Sequence, residues 1–408
     1  MNEIKFNIKK ALLPIITPVL PANKSIVNRL MILASLSQTK LDLSIANMPN
    51  DVFVLYQILD SGFNRLNVED AGTAARFTLS WACIQNQTLE LFGTERMHQR
   101  PMGPLINALR SIGFSIECLK NEGFLPVRII PNNLRKSSDI TIDSNISSQF
   151  ISSLCLIAPF LEDGLNIKLT GNKASWPYVE MTLNLLKSAG AIIKTRTDTI
   201  QLKKAHSLIP SLKIESDWSA AAFWYQISSI LPNQKFIIQG LSADSIQGDK
   251  ETISLFKQLG VCTIFKKGQI EFQKVQPPKS KLKIDFTNFP DLAQPFISAC
   301  VLNGVDGEFL GLKTLRFKET DRINALKTEL EKTGAKLAIK SDKIHLTSPK
   351  SIPDILSFST HLDHRMAMAL APFALVSESV KMDNPEVVKK SYPQFWQELE
   401  KVGVTLHS

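Results

Sequence analysis

Two hydrophobic patterns alternate along the chain. The first is an amphipathic helix that ends in a glycine and leads into a short strand. It recurs six times: Leu55 to Gly62, Ile106 to Gly113, Leu183 to Gly190, Leu255 to Gly260, Leu330 to Gly334 and Phe395 to Gly403. Each glycine stands where a helix takes a left-handed C-terminal cap. The second pattern is a helix apolar on nearly every side, with polar residues at its N-terminal end. Its six copies start near Ser25, Gly72, Ser147, Trp218, Asp291 and His364. A helix apolar all round must be buried. Strands follow the capped helices as hairpins, as in Ala335 to Ile339 and Lys343 to Thr347 about Ser341-Asp342. The unit reads strand, helix, strand, helix, strand, strand, an α/β pattern repeated six times and too long for a solenoid repeat.

The first copy is shorter than the rest. Intervals between the capping glycines are 51, 77, 70, 74 and 69 residues. The gap between the first two buried helices, Ser25 to Gly72, is short by a similar amount, which places a deletion between Gly62 and Gly72. The residues 63–71 are too few for a hairpin and a connection. A single strand or less is expected there, with a smaller sheet in that part of the molecule.

The polar ends of the buried helices change the picture. They are Lys24/Ser25, Asp70 to Thr73, Ser147 to Gln149, Asp217, Asp291 and Asp363 to Arg365. In Pro21 to Arg29, Lys24 is a mobile point charge, Ser25 a capping hydroxyl and Arg29 a fork for phosphate or carboxylate. Free N–H groups and helix dipoles add to the same field, so a strongly positive cleft is expected if the ends converge. The whole chain of 408 residues carries a formal charge of +9, which favours anionic partners. Its basic residues are spread, without a Lys/Arg block interleaved with aromatics, which argues against nucleic acid. Hydrophobic content of 44% with 21% charge is that of a globular chain of two or three domains. Five scattered cysteines fit buried thiols in a reducing compartment. Met1 to Lys10 has no signal-peptide core and no apolar run reaches membrane length, so a cytoplasmic protein without a membrane partner is expected.

Three stretches carry candidate chemistry. Lys318-Glu319-Thr320-Asp321-Arg322 spaces Lys318 and Arg322 four apart, which predicts one helical face with Glu319 beside it; alone it would read as a surface charge ladder. Arg96 to Pro101 reads as a basic loop, alone no more than a solvated turn. Asp363-His364-Arg365-Met366-Ala367-Met368 opens an apolar helix with an acid cap and an arginine, and a buried helix rarely carries an unpaired arginine. His361 and His364 have a metal-site spacing, but no cysteine or further histidine stands near, so no metal is expected. No nucleotide-binding glycine fingerprint is present, and no cofactor is expected.

Together these stretches resemble the enolpyruvyl transferase family, and within it the branch acting on shikimate 3-phosphate. The resembling segments are Lys24-Ser25 with Arg29, Ala71 to Ala74 with Arg76, Arg96 to Pro101, Ser147 to Phe150, Ser175 with Pro177-Tyr178, Gln247-Gly248-Asp249, Pro290-Asp291, Lys318 to Arg322, Asp363 to Met368, and Lys390 to Pro393. They run in order along nearly the whole chain. The resemblance implies an α/β fold of two lobes, an inside-out α/β barrel of six βαβαββ units around buried helices. It implies crossings near Pro21 and near Lys213 to Glu215. One lobe is then 22–212, the other 1–20 with 215–408, and the active site lies in the cleft between them.

The implied reaction moves the carboxyvinyl group of phosphoenolpyruvate onto the 5-hydroxyl of shikimate 3-phosphate and releases phosphate, on the route to chorismate and the aromatic amino acids. The resemblance casts Asp291 as proton acceptor at the hydroxyl and Glu319 as its acid/base counterpart, with Lys24 also catalytic. It places Lys24, Arg100, Gln149, Arg322, Arg365, Lys390 and the Gly72 backbone around phosphoenolpyruvate. It places Lys24, Ser25, Arg29, Ser147, Ser148, Gln149, Ser175, Tyr178, Asp291 and Lys318 around shikimate 3-phosphate. A monomer with two small anionic substrates is expected. The chain departs from the family pattern at Ala22-Asn23, Asp70, Phe77, Trp176 and Thr314. The rival readings are enolpyruvyl transfer to a UDP-amino sugar and a non-catalytic anion or nucleic-acid binder. The first expects a reactive cysteine in a mobile loop, and Gly93 to Pro104 holds none.

Overall fold

The six capping glycines all take positive φ, from 61° at Gly62 to 109° at Gly113, so each amphipathic helix stops where the pattern predicts. This computed structural model describes residues 3–8, 13–41, 48–132, 137–145, 147–205, 207–210 and 214–407. The all-apolar segments form Lys24–Leu36, Gly72–Ile84, Ser148–Ile157, Trp218–Ile230, Ala293–Leu302 and His364–Leu370. Burial follows their composition: in Trp218–Ile230 every side chain from Trp218 to Ser229 is buried.

One strand order recurs in all five sheets of the described residues. Lys281–Asp285 runs parallel to Asp306–Leu310, with the buried helix Ala293–Leu302 as the crossover. After the capped helix Arg322–Glu331, the strands Lys336–Lys340 and Lys343–Thr347 return as a hairpin, and Lys343–Thr347 pairs with Asp306–Leu310. The order is thus first, second, fourth, third. In the sheet of Ile355–Phe358, Ser379–Asp383 and Val404–His407, the N-terminal strand Glu3–Ile8 takes the fourth place. The chain closes its last unit with its first strand.

The first copy lacks its hairpin. Lys24–Leu36 and Asn50–Asp60 are its helices, and no strand lies in the described part of 24–62. Between Gly62 and Gly72 there is one strand, Arg65–Asn67, paired with Leu89–Phe92 and so belonging to the next sheet.

The chain divides into two compact units, Met1–Asn23 with Glu215–Ser408, and Lys24–Ile214. The first contains three four-stranded sheets and the second two. Each has its own core. Trp224, Tyr225, Phe272 and Phe296 are among the core residues of the first, and Phe77, Leu79, Phe150 and Leu154 among those of the second. Residues 211–213, on which the expected end of one lobe and the second crossing fall, lie outside the described residues. Within the first unit the segments beside the crossings pair with each other: Ala22 bridges Ser216, and the Asp217 N–H donates to Pro21 O at 3.0 Å. Asn23 fastens them, donating to Asp217 Oδ1 at 2.9 Å and Gln247 Oε1 at 2.7 Å.

Candidate active site

In the unit Lys24–Ile214, polar groups gather at the starts of three buried helices. Lys24 opens the first and donates from Nζ to Asp51 Oδ2 at 2.9 Å, both side chains largely shielded. Arg29, one turn further, is 1% exposed. Its Nε donates to Thr182 Oγ1 at 2.7 Å and its Nη1 to the Ser25 carbonyl at 2.9 Å. Its Nη2 donates to Ser152 Oγ at 3.2 Å and the Tyr178 carbonyl at 3.0 Å, and the guanidinium lies 5.1 Å from the Phe77 ring centre. Burial lowers its pKa to about 10. Neutral acceptors and an aromatic face thus carry a buried cation that fastens Ser25 to Tyr178.

Gly72 opens the second helix under the Arg100 guanidinium. A Cβ there would lie 2.7 Å from Arg100 Nη1 and Nη2. Arg100 Nη1 also donates to the Asp70 carbonyl at 3.4 Å. Arg76 donates to the Gly72 carbonyl at 2.9 Å, which braces the helix start. At the third helix Ser147 is the cap, accepting from the Gln149 N–H at 3.3 Å, and Ser148 is buried. Gln149 Nε2 donates to Thr73 Oγ1 at 3.0 Å, joining the second helix to the third. Ser175 is nearly buried and left-handed, φ 52° and ψ 35°, at the start of Trp176–Ser188, and Lys173 Nζ sits 4.0 Å from the Trp176 ring centre.

In the other unit one carboxylate is ringed by three cations. Asp291 Oδ1 accepts from Arg322 Nη1 at 3.0 Å and faces Lys318 Nζ at 3.5 Å, while Oδ2 accepts from Arg365 Nη2 at 3.0 Å. Arg322 is the hub. It also donates to Glu319 Oε2 at 2.8 Å and, through Nε and Nη2, to Asp363 at 2.6 and 3.2 Å. Burial alone would lower its pKa, but Asp363, Glu319 and Asp291 overcome that and raise it. Burial lowers Lys318, with Asp291 opposing. Lys390 ends the 3-10 helix Pro385–Lys390 with 8% exposure, on an element that packs against His364–Leu370. His364 is buried with Nδ1 at 3.6 Å from Asp363 Oδ1.

Three expectations change. Lys318 and Arg322 do not share a helical face. Lys318 follows the 3-10 helix Lys313–Phe317 in extended conformation, and Asp321 caps a helix that begins at Arg322, accepting from the Ile323 and Asn324 N–H groups. The strong cap wins over the four-residue spacing. The basic loop contains a helical turn, Glu95–His98, because Thr94 Oγ1 accepts from the Met97 N–H at 3.2 Å. The three cations Lys318, Arg322 and Arg365 face four acids, Asp249, Asp291, Glu319 and Asp363, so this cluster taken by itself is not strongly positive. Buried cations require counter-charges.

Sequence reasoning missed Asp51, Asp249 and Asp363 as site residues, although each stands at or beside a helix start, which is the available signal. Asp249 is 3% exposed and accepts a bond from Ser219 Oγ. Burial first, then the Asp291 charge, push its pKa up to about 6, with Arg365 opposing. A folded value above the unfolded one means that the native state holds the extra proton, so stability falls as pH rises through that interval. Asp249→Asn is therefore expected to stabilise the protein at pH 8 by roughly 1–3 kcal/mol, with the gain vanishing near pH 4. Urea unfolding of both proteins at the two pH values measures it; an equal gain at both would rule out the ionisation as its cause.

A family model described as EPSP synthase (3-phosphoshikimate 1-carboxyvinyltransferase) matches residues 55–399. A 3-phosphoshikimate 1-carboxyvinyltransferase of Bacteroides fragilis (strain YCH46) is 41% identical over 391 residues, 94% of this chain and 94% of its own. One from Methanospirillum hungatei is 31% identical over 352 residues, 84% of this chain and 80% of its own. In fold the chain is similar to an EPSP synthase of Acinetobacter baumannii, with a TM-score of 0.77 over 100% of both chains at 18% identity.

Proposed function

From a chain that belongs to the EPSP synthase (3-phosphoshikimate 1-carboxyvinyltransferase) family, we propose the following division of labour among its residues. The reaction is transfer of the enolpyruvyl group of phosphoenolpyruvate to the 5-hydroxyl of shikimate 3-phosphate, with release of phosphate, in the shikimate pathway. Phosphoenolpyruvate takes Lys24, the Gly72 backbone, Arg100, Gln149, Arg322, Arg365 and Lys390. Shikimate 3-phosphate takes Lys24, Ser25, Ser147, Ser148, Gln149, Ser175, Tyr178, Asp291 and Lys318, with Arg29 buried beneath Ser25 and Tyr178.

The carrying observation is the Asp291 carboxylate held by Lys318, Arg322 and Arg365. Substrate phosphate and carboxylate oxygens compete for those cations. As they take them over, the Asp291 oxygens are released to accept the proton of the attacking hydroxyl. Glu319, bound to Arg322 in the same network, exchanges a proton with the methylene carbon of phosphoenolpyruvate and with the tetrahedral intermediate. A substrate anion thus assembles the base it needs. A coupled phosphate-release assay with both substrates tests the reading. Release that requires a UDP-amino sugar in place of shikimate 3-phosphate, or no release, would sink it.

Gly72→Ala is expected to raise the KM for phosphoenolpyruvate about 10- to 100-fold, the worth of one charge-assisted hydrogen bond. The new methyl group meets the mobile end of Arg100 rather than backbone, so Arg100 moves and the helix stays. The KM for shikimate 3-phosphate should hold. Equal changes in both constants would show that the helix itself had shifted.

The enzyme is assigned to the cytoplasm as a monomer. No helix among the described residues is long and apolar enough to cross a membrane. Light scattering on the purified protein tests the monomer; a mass near twice 45.5 kDa would replace it with a dimer.

A further inference from the structure

The loop entering the helix His364–Leu370 has an unusual backbone. His361 and Leu362 both take positive φ, 51° and 54°, where residues other than glycine rarely sit. Such a conformation persists only where its surroundings over-determine it. The Leu362 side chain is 66% exposed, so its packing is not what holds the turn.

Two carboxylates hold it. Asp383, at the end of the strand Ser379–Asp383, accepts from Ser359 Oγ at 2.8 Å and the Thr360 N–H at 2.7 Å. Glu329, 1% exposed on the helix Arg322–Glu331, accepts from the Ser359 N–H at 2.9 Å, Lys332 Nζ at 2.7 Å and His361 Nε2 at 2.8 Å. Burial alone would raise the Glu329 carboxyl, but the bonds from His361, Lys332 and Ser359 outweigh it and hold it below its ordinary value. An ionised carboxylate only accepts, so His361 Nε2 is the donor.

Two residues on, Asp363 accepts from the Arg365 N–H at 2.8 Å and holds Arg322 through two bonds. One helix is thus fastened to one loop at both ends. Arg322, its first residue, binds Asp363, and Glu329, two turns later, binds His361. The left-handed pair begins at the first fastening, His361, and ends one residue before the second, Asp363.

We propose that His361 is a positioning residue for phosphoenolpyruvate: its bond to Glu329 holds the left-handed turn that sets Asp363, and Asp363 sets the Arg322 guanidinium and the start of the helix carrying Arg365. The proposal rests on the reading of Arg322 and Arg365 as phosphoenolpyruvate ligands. His361 does not itself touch substrate.

Four variants test it by steady-state kinetics for phosphoenolpyruvate, calorimetric binding of shikimate 3-phosphate alone, and thermal melting. His361→Ala is expected to raise the KM for phosphoenolpyruvate about tenfold or more, with shikimate 3-phosphate affinity within about twofold of native. His361→Gln keeps an N–H for Glu329 and should return the KM to within about threefold. Adding Leu362→Gly to His361→Ala should recover part of the loss, because glycine takes positive φ without the steric cost. Arg365→Ala calibrates the ligand reading. A KM within twofold of native in His361→Ala, beside a large effect in Arg365→Ala, overturns the positioning role alone. No effect in Arg365→Ala overturns the ligand reading and this inference with it. Loss of both substrates with a lowered melting point, rescued by neither glutamine nor glycine, assigns His361 to stability only and also overturns the proposal.

Discussion

Asp291→Ala is expected to lower kcat by about 100- to 10,000-fold, the usual loss for a positioned acid or base. The KM for phosphoenolpyruvate should not rise, and this second half is the more discriminating. Lys318, Arg322 and Arg365 each spend a contact on Asp291 in the free protein. Alanine frees Arg322 and Arg365 for phosphoenolpyruvate and Lys318 for shikimate 3-phosphate, so binding holds or tightens while the proton acceptor is gone. Asp249 should respond as well, because the Asp291 charge is the second cause of its raised pKa. Steady-state kinetics with both substrates varied, and calorimetry with shikimate 3-phosphate, check the prediction. Turnover within tenfold of native would remove Asp291 from the proton transfer. A KM for phosphoenolpyruvate that rises as kcat falls would mean that Asp291 organises the cations and does not compete for them.

The fold was legible where a local signal has one physical meaning. A glycine after an amphipathic run ends a helix, and all six capping glycines are left-handed. An all-apolar helix is buried, and Trp218–Ile230 is buried along nearly its whole length. The missing hairpin was legible because glycine spacing counts residues, and 63–71 hold only the strand Arg65–Asn67. Candidate residues at helix starts were legible for the same reason, since capping positions are set locally.

Partners distant in sequence were not legible. Lys24 announces itself as a cation, but its carboxylate, Asp51, stands 27 residues away. Arg29 reads as a fork for an anion, yet its acceptors include Thr182, 153 residues away, and burial has lowered its pKa. The mutual arrangement of Asp249, Asp291 and Asp363 depends on which buried helices pack side by side. Trp218–Ile230, Ala293–Leu302 and His364–Leu370 do so, and no local pattern states it. That also explains the overstated positive charge: cations were visible one by one in the sequence, whereas their counter-ions became theirs only on folding. Where two local signals competed, at Lys318 to Arg322, the Asp321 cap outweighed the spacing.

Arg322→Ala should be the most damaging single change in this network, because it removes one cation from three carboxylates. Asp363 is 0% exposed, Glu319 and Asp291 are mostly shielded, and all three bond to Arg322. Breaking a buried pair from one side leaves an uncompensated charge, at about 3–5 kcal/mol of stability. Asp363 also caps the helix His364–Leu370 through the Arg365 N–H, so its displacement reaches a second cation. Phosphoenolpyruvate then loses Arg322 directly and a correctly placed Arg365 indirectly, and its KM should rise well beyond that of Gly72→Ala. Arg322→Lys should recover little. A lysine restores the charge, but one ammonium on a flexible stem does not reproduce the fork that bonds Asp291, Glu319 and Asp363 together. Urea unfolding of the native protein and both variants measures the loss of stability. Arg322→Lys matching native stability and KM would show that packing around the guanidinium, not charge pairing, makes Arg322 the hub.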